Sequence, residues 1–336
     1  MIDFRYHLVS LISVFLALAV GIILGAGPLQ GAIGDQLIDQ VETLRTERNS
    51  LRESLGQAQG DLDEQLQFLQ AAGPQLVAGS LDDTRVAVVD LDDVAGDVEQ
   101  GVVDELEAAG ATVVASVVLT ESWTLEEEAP FRQTVATGLR EQLGELPEAA
   151  TPDQVLASAL AISLTENAGD PAVRSDRAAG LQELLVRSSL IELDGEQPAP
   201  ADAVLLLSGA TAEVPDGDEE VPAPTPQDGE LGILASLAAT VQERTGSSLV
   251  AGPTATGADL VSTIRGDDDL AAAVSTVSGV EKLTGRIVVP LALAASHSGR
   301  VGQYGFEEDA TVLPPTVDEV RPDSETSDDA TTGAGQ

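Results

Sequence analysis

Arg85-Val-Ala-Val-Val-Asp-Leu91 is a short apolar run rich in β-branched residues, and the pattern immediately after it sets the fold class. Val98, Val102, Leu106 and Ala109 recur at helical spacing, Gly110 closes that helix, and Thr112–Thr120 (TVVASVVLT) is a second apolar run. Strand, helix and strand in that order form a βαβ unit, which implies parallel pairing and a right-handed crossover. Both runs are apolar on both faces, as expected of a sheet covered by helices on each side.

The same alternation continues outward. Helical patterns lie near 130–144, 152–165 and 174–189. Ala203–Gly209 reads as a third strand, 230–245 as a helix, Ser248–Gly252 as a fourth strand and 267–274 as a helix. Gly285–Leu293 (GRIVVPLAL) reads as a last strand, with Pro290 placing it at a sheet edge or ending it early. Residues 84–306 are therefore an α/β domain built on a largely parallel sheet. Residues 211–230 hold four prolines and many acids and read as a disordered loop. Residues 307–336 carry nine acids and one arginine, and read as a disordered tail that cannot offset its ordering entropy by burial.

Ahead of the domain, residues 8–27 (LVSLISVFLALAVGIILGAG) contain no charge. Twenty helical residues span about 30 Å, the thickness of a bilayer's hydrocarbon core. The small residues Gly25, Ala26 and Gly27 make a poor cleavage site, with Pro28 or Leu24 badly placed, so an uncleaved transmembrane anchor is expected. Arg5 precedes the segment and the next basic residue is Arg45, which puts residues 1–7 in the cytoplasm and the rest outside.

Residues 33–72 read as a coiled-coil stalk. With Leu37 at heptad position d, the apolar seam runs Leu37, Val41, Leu44, Leu51, Leu55, Leu62 and Leu69, with Arg48 at one a site and Ala58 at one d site. Gly56 and Gly60 each lower helix propensity by about 1 kcal/mol. An amphipathic helix packed on its own domain is the other explanation. Ala71-Ala72-Gly73-Pro74 is expected to end the helix.

Composition narrows the function. The net charge is −41, from 57 acidic and 16 basic residues, and Lys282 is the single lysine. Such a surface disfavours nucleic acid, whose phosphates need a basic face. There is no cysteine, the one methionine is Met1, and the histidines are His7 and His297. Asp90, Asp92 and Asp93 sit where doubly wound sheets bind ligands, so an acidic cation site is one reading and a solvated acidic loop the commoner one. Gly266-Asp-Asp-Asp269 most simply caps a helix. The turn after the first strand lacks G-x-G-x-x-G and the P-loop pattern, and Ser208-Gly209 lacks a nucleophile elbow. No bound cofactor and no catalysis are expected. His297, in Ala295–Gly305, reads as a surface residue in a turn that docks Tyr304, and alone it is a poor metal site.

Taken together, Arg5–Gly25 (RYHLVSLISVFLALAVGIILG), the stalk, the α/β domain and Gly302-Gln-Tyr-Gly305 resemble the mycobacterial copper transport protein B family, over residues 1–306. The resemblance implies an actinobacterial envelope protein of copper homeostasis, a pore or efflux component of the outer membrane, with copper as the transported ion. The residues support a rival reading: a non-catalytic, membrane-anchored scaffold for envelope remodelling or cell separation, self-associating through its stalk or recruiting an envelope protein. Copper(I) favours thiolate and thioether donors, which the chain almost lacks. The choice between inner and outer membrane stays open at this point.

Overall fold

The computed structural model describes residues 4–26, 28–144, 146–147, 149–209 and 229–315, without the side chains of 26–38. The chain divides into two compact units, residues 1–67 and 68–336.

Helix α1 spans Phe4–Ala26, four residues ahead of the expected start. Within its stretch Phe4–Gly25 the most apolar 18 residues have a mean hydropathy of 2.7, and among the described residues it is the one helix long and apolar enough to cross a membrane. Helix α2 spans Pro28–Val77 and contains the expected stalk segment. The expected stop at Ala71–Pro74 is corrected, because α2 runs through Gly73 and Pro74 to Val77. A proline within a helix forfeits one backbone bond and crowds the preceding turn. Here packing outweighs that cost. Gly73 lets the helix approach Ile287 so closely that an added Cβ would sit 2.9 Å from its Cδ1. Val77 is fully buried, and Ala78 N–H closes the end on Pro74 O at 3.1 Å.

The second unit is an α/β sandwich around a seven-stranded sheet among the described residues. Its strands are β1 (Arg85–Asp90), β2 (Thr112–Leu119), β3 (Ile191–Leu193), β4 (Ala203–Leu207), β5 (Ser248–Ala251), β6 (Thr276–Val277) and β7 (Gln303–Tyr304). Their order is β3-β2-β1-β4-β5-β6-β7, parallel throughout except for β3. The βαβ unit forms as expected, with α3 (Gly96–Ala108) crossing between β1 and β2 and Gly110 at φ 93° turning the chain.

Alternation along β1 divides the core. Ala87 and Val89 face a layer built from α4 (Ala129–Leu139), α5 (Pro152–Thr165), α6 (Asp176–Arg187), α7 (Glu230–Thr245), α8 (Leu260–Arg265) and α9 (Asp268–Ala273). Val86 and Val88 face α3, the last turn of α2 and α10 (Leu283–His297). Burying both strand faces is what makes the runs uniformly apolar.

The expected strand at Gly285–Leu293 is a correction: it lies inside α10. Ten of the fifteen residues of α10 are buried and His297 alone is exposed, so its apolar run carries no periodicity that distinguishes a covered strand from a covered helix. Gly285 sits hard against the Gly279 carbonyl, where a Cβ would overlap it. Pro290 belongs to this helix and not to an edge strand. The sheet gains β6 and β7 instead, each two residues long, together with β3. The acidic loop expected at 211–230 and the tail beyond 315 lie largely outside the described residues. Within the expected tail, residues 307–315 pack beside β7, with Thr311 N–H donating to Gln303 O at 2.8 Å.

Candidate functional site

Strands β1 and β4 are neighbours whose connections leave in opposite directions, so the sheet has its switch point between their carboxyl ends. Doubly wound sheets bind ligands at that place. Here the two loops that border it are in contact. Asp92 Oδ1 accepts the backbone N–H of Gly209, and Ser208 Oγ lies 3.5 Å from Asp92 Oδ2. Leu91 N–H donates to Leu207 O at 2.8 Å. A Cβ on Gly209 would overlap Asp93 O, so the two loops are in direct contact. The first turn of α3 carries Asp97 and Glu99, and its N-cap, Ala95, has no side chain to cap with. Carboxylates thus stand where a phosphate would need free N–H groups.

Asp90 ends β1 and is 5% exposed, and its Oδ1 has no hydrogen-bond partner. Burial pushes its carboxyl up to about 7, reinforced by the negative charges of Glu99 and Asp92. Burial raises Asp92 too, opposed by the Gly209 N–H. Asp93 is exposed. Among the described residues no three His, Cys, Asp or Glu side chains are grouped to hold a metal ion.

His297 lies at the opposite end of the sheet. It ends α10, and its Nδ1 is 3.0 Å from Oγ of Ser247, the residue before β5. The nearby Asp202 does not complete a relay. Arg85 holds it, with Nε donating to Oδ2 at 2.8 Å and Nη2 to Oδ1 at 2.5 Å. Asp90, Asp92 and Asp93 are therefore brought to the carboxyl ends of the parallel strands, and His297 to their amino ends.

Gly302-Gln-Tyr-Gly305 is a structural lock. Gln303 and Tyr304 form β7 in place of the expected turn, and Tyr304 is docked, 3% exposed. Gln303 Nε2 donates to Ala271 O and Val274 O at 2.8 and 2.9 Å. Arg265 donates to Tyr304 O at 2.8 Å and pairs with Glu307 Oε2 at 3.1 Å. Gly302 lies under the Tyr304 ring, and Gly305 against Ser278 Oγ. Sequence reasoning missed Arg265 and Glu307, because nothing local marks a pair 42 residues apart.

A groove of about 620 Å³ between α5, α7 and α9 is lined by Asp153, Glu243, Asp267 and Asp269 among others. Asp153 pairs with the buried Arg132 at 3.1 Å, and Asp267 caps α9. Asp153 and Asp267 thus serve the fold.

The remaining feature is α2. Val41, Leu44, Leu51, Leu55 and Leu62 are exposed, Leu51 at 71%, while Leu69 is half-buried. Leu37 falls among the side chains left undescribed. Among the described residues, Val41, Leu44, Leu51, Leu55 and Leu62 lie along one face of the helix, interrupted by Arg48.

Known proteins resemble this chain along most of its length. A family model described as "Copper transport outer membrane protein, MctB" matches residues 1–315. A protein named "Copper transporter MctB" from Mycobacterium leprae (strain TN) is 30% identical over 327 residues, covering 93% of this chain and 99% of its own. Proteins of the same name from Mycobacterium tuberculosis (strain ATCC 25618 / H37Rv) and Mycobacterium bovis (strain ATCC BAA-935 / AF2122/97) are 29% identical over 321 residues, covering 91% of this chain and 96% of theirs.

Proposed function

Because this chain belongs to the family of the copper transport outer membrane protein MctB, we propose that it is a membrane-anchored envelope protein of copper homeostasis, acting as a transport component. The observation that carries this reading is the extent of the match. It takes in α1, α2 and the α/β domain together and covers nearly the whole length of the relatives.

The proposed topology rests on α1. Arg5 precedes the apolar span and no basic residue occurs after it until Arg45, so the N-terminus is cytoplasmic and the α/β domain extracytoplasmic. A lone helix of this kind suits an inner membrane, while the family description places its members in the outer one.

Chemistry limits how the chain takes part. Copper(I) is held by soft sulfur donors or by paired imidazoles. The chain offers Met1, His7 and His297, and the described His297 has Ser247 as its neighbour. The sheet is covered on both faces by helices and leaves no lumen between its strands. In this reading the chain positions or assembles the transport machinery from its anchor, and copper itself is contacted by ligands of a partner or of the assembled complex. No enzymatic step is assigned to it.

The test is cell-associated copper at sub-toxic external copper in a strain lacking the gene. Copper that rises on deletion and falls on restoration of the full chain supports the reading. Copper unchanged by either refutes it. In that event the second reading stands, a non-catalytic scaffold for envelope remodelling or cell separation, which the uncovered stripe of α2 favours.

A further inference from the structure

We propose that α2 pairs with α2 of a second copy of this chain as a parallel, in-register, two-stranded coiled coil over Val41–Leu62, with Glu47 of each copy facing Arg52 of the other. The inference rests on the anchored topology proposed above and is independent of copper.

The apolar stripe supplies the contact, and charge identifies what covers it. With Leu44 and Leu51 at d, Glu47 is a g residue, Arg45 and Arg52 are e residues, and Arg48 is an a residue. In a single helix this arrangement is unfavourable. Arg48 and Arg52 are like charges at i,i+4, and neither they nor Glu47 has an opposite charge three or four residues away. Arg48 donates only to Asn49, at 3.2 Å, and none of the ion pairs among the described residues includes Arg45, Glu47, Arg48 or Arg52.

A second copy in parallel resolves this. The g residue of one helix then faces the next e residue of the other, so Glu47 meets Arg52 on both sides of the pair. Glu47 of one copy also flanks Arg48 of the other across the seam. Antiparallel pairing would instead set e against e, arginine against arginine, and g against g, Glu47 and Asp61 against their own kind. Anchoring by α1 gives both chains the same direction out of the membrane. Arg48 at an a site fits two strands, where its long side chain can reach water beside the seam.

The chain has no cysteine, so single cysteines report contact directly in the full-length protein in its native membrane. Leu44→Cys, at the seam, is expected to give an oxidation-dependent dimer, and Ser50→Cys, on the outer face, none. In the Leu44→Cys background, Glu47→Arg or Arg52→Glu alone sets like charges against each other and lowers cross-linking about fivefold. Differently tagged Glu47→Arg and Arg52→Glu chains produced together regain opposite charges on both sides and cross-link to each other in preference to themselves. Leu51→Cys repeats the readout should Leu44→Cys disturb the seam. Equal cross-linking at 44 and 50, no dimer at either seam position, or indifference to the charge reversals overturns the proposal. Cell copper is not read in this experiment, so its failure leaves the copper reading standing, and the converse holds.

Discussion

Asp92 accepts the backbone N–H of Gly209 across 117 residues of sequence, and that bond ties the loop after β1 to the end of β4 at the switch point of the sheet. A doubly wound sheet ordinarily leaves this crevice to a ligand. Here the two loops that border the crevice are bonded to each other through Asp92 and Gly209.

Replacement of Gly209 tests that closure. Gly209→Ala would force a methyl group into the Asp93 carbonyl, a backbone group that can move only with its loop. The expected loss is about 1–3 kcal/mol of unfolding free energy, as for other overpacked sites. Urea denaturation of the full chain in detergent measures it, and an unchanged midpoint would show that the loops are not locked.

Asp90 gives the domain an unusual pH response. Its carboxyl stands at about 7 in the fold against 3.8 unperturbed, so the native state holds a proton that the unfolded chain releases. Stability contributed at this site is therefore greatest at acid pH and falls as pH rises from about 4 to about 7, by on the order of 3 kcal/mol. Asp90→Asn removes the dependence. The wild-type chain should lose stability relative to Asp90→Asn between pH 5 and pH 8, and parallel curves would refute the assignment.

The β7 lock depends on one guanidinium. Arg265→Ala removes one donor each from Tyr304 O, Thr276 Oγ1 and Glu307 at a site only 13% exposed on the arginine side, and leaves Ser278 N–H on Tyr304 O and Ser278 Oγ on Glu307 Oε2 to hold the segment. A loss of about 2 kcal/mol is expected. Limited proteolysis should cut after β7 sooner in the variant than in the wild-type chain.

His297 tests the ligand question. As a lone imidazole beside Ser247 it is not expected to carry copper. His297→Ala should restore cell copper in the deletion strain as fully as the wild-type gene does. Failure to restore it, with the protein present at normal level, would place a copper contact at this end of the sheet.

How much of the fold is legible in the residues depends on distance along the chain. The βαβ unit at 85–120, helix 230–245 and the strand at 248 are legible, because each declares itself within a few residues. The strand expected at 285–293 is helix α10, since a segment buried all round loses the periodicity that tells the two apart. The two-residue strands β6 and β7 are too short to leave a pattern. Position at the carboxyl end of β1 is legible for Asp90, Asp92 and Asp93. The partnership of Asp92 with Gly209 and of Arg265 with Glu307 is not, because each joins residues far apart in sequence through contacts that only the fold creates.

The two borders of the sheet differ from those of an open one. At β7 the chain doubles back, with Thr311 N–H on Gln303 O and Gly305 N–H on Thr311 O, so that border is already covered by residues beyond it. At the far side β3 is three residues long, runs against its neighbour and carries Glu192. Neither border offers a long, flat row of free amides to an extended strand from another chain. This protects the domain from polymerising through its backbone. It also leaves the faces of the helices, and not the rims of the sheet, as the broad surfaces of the described domain.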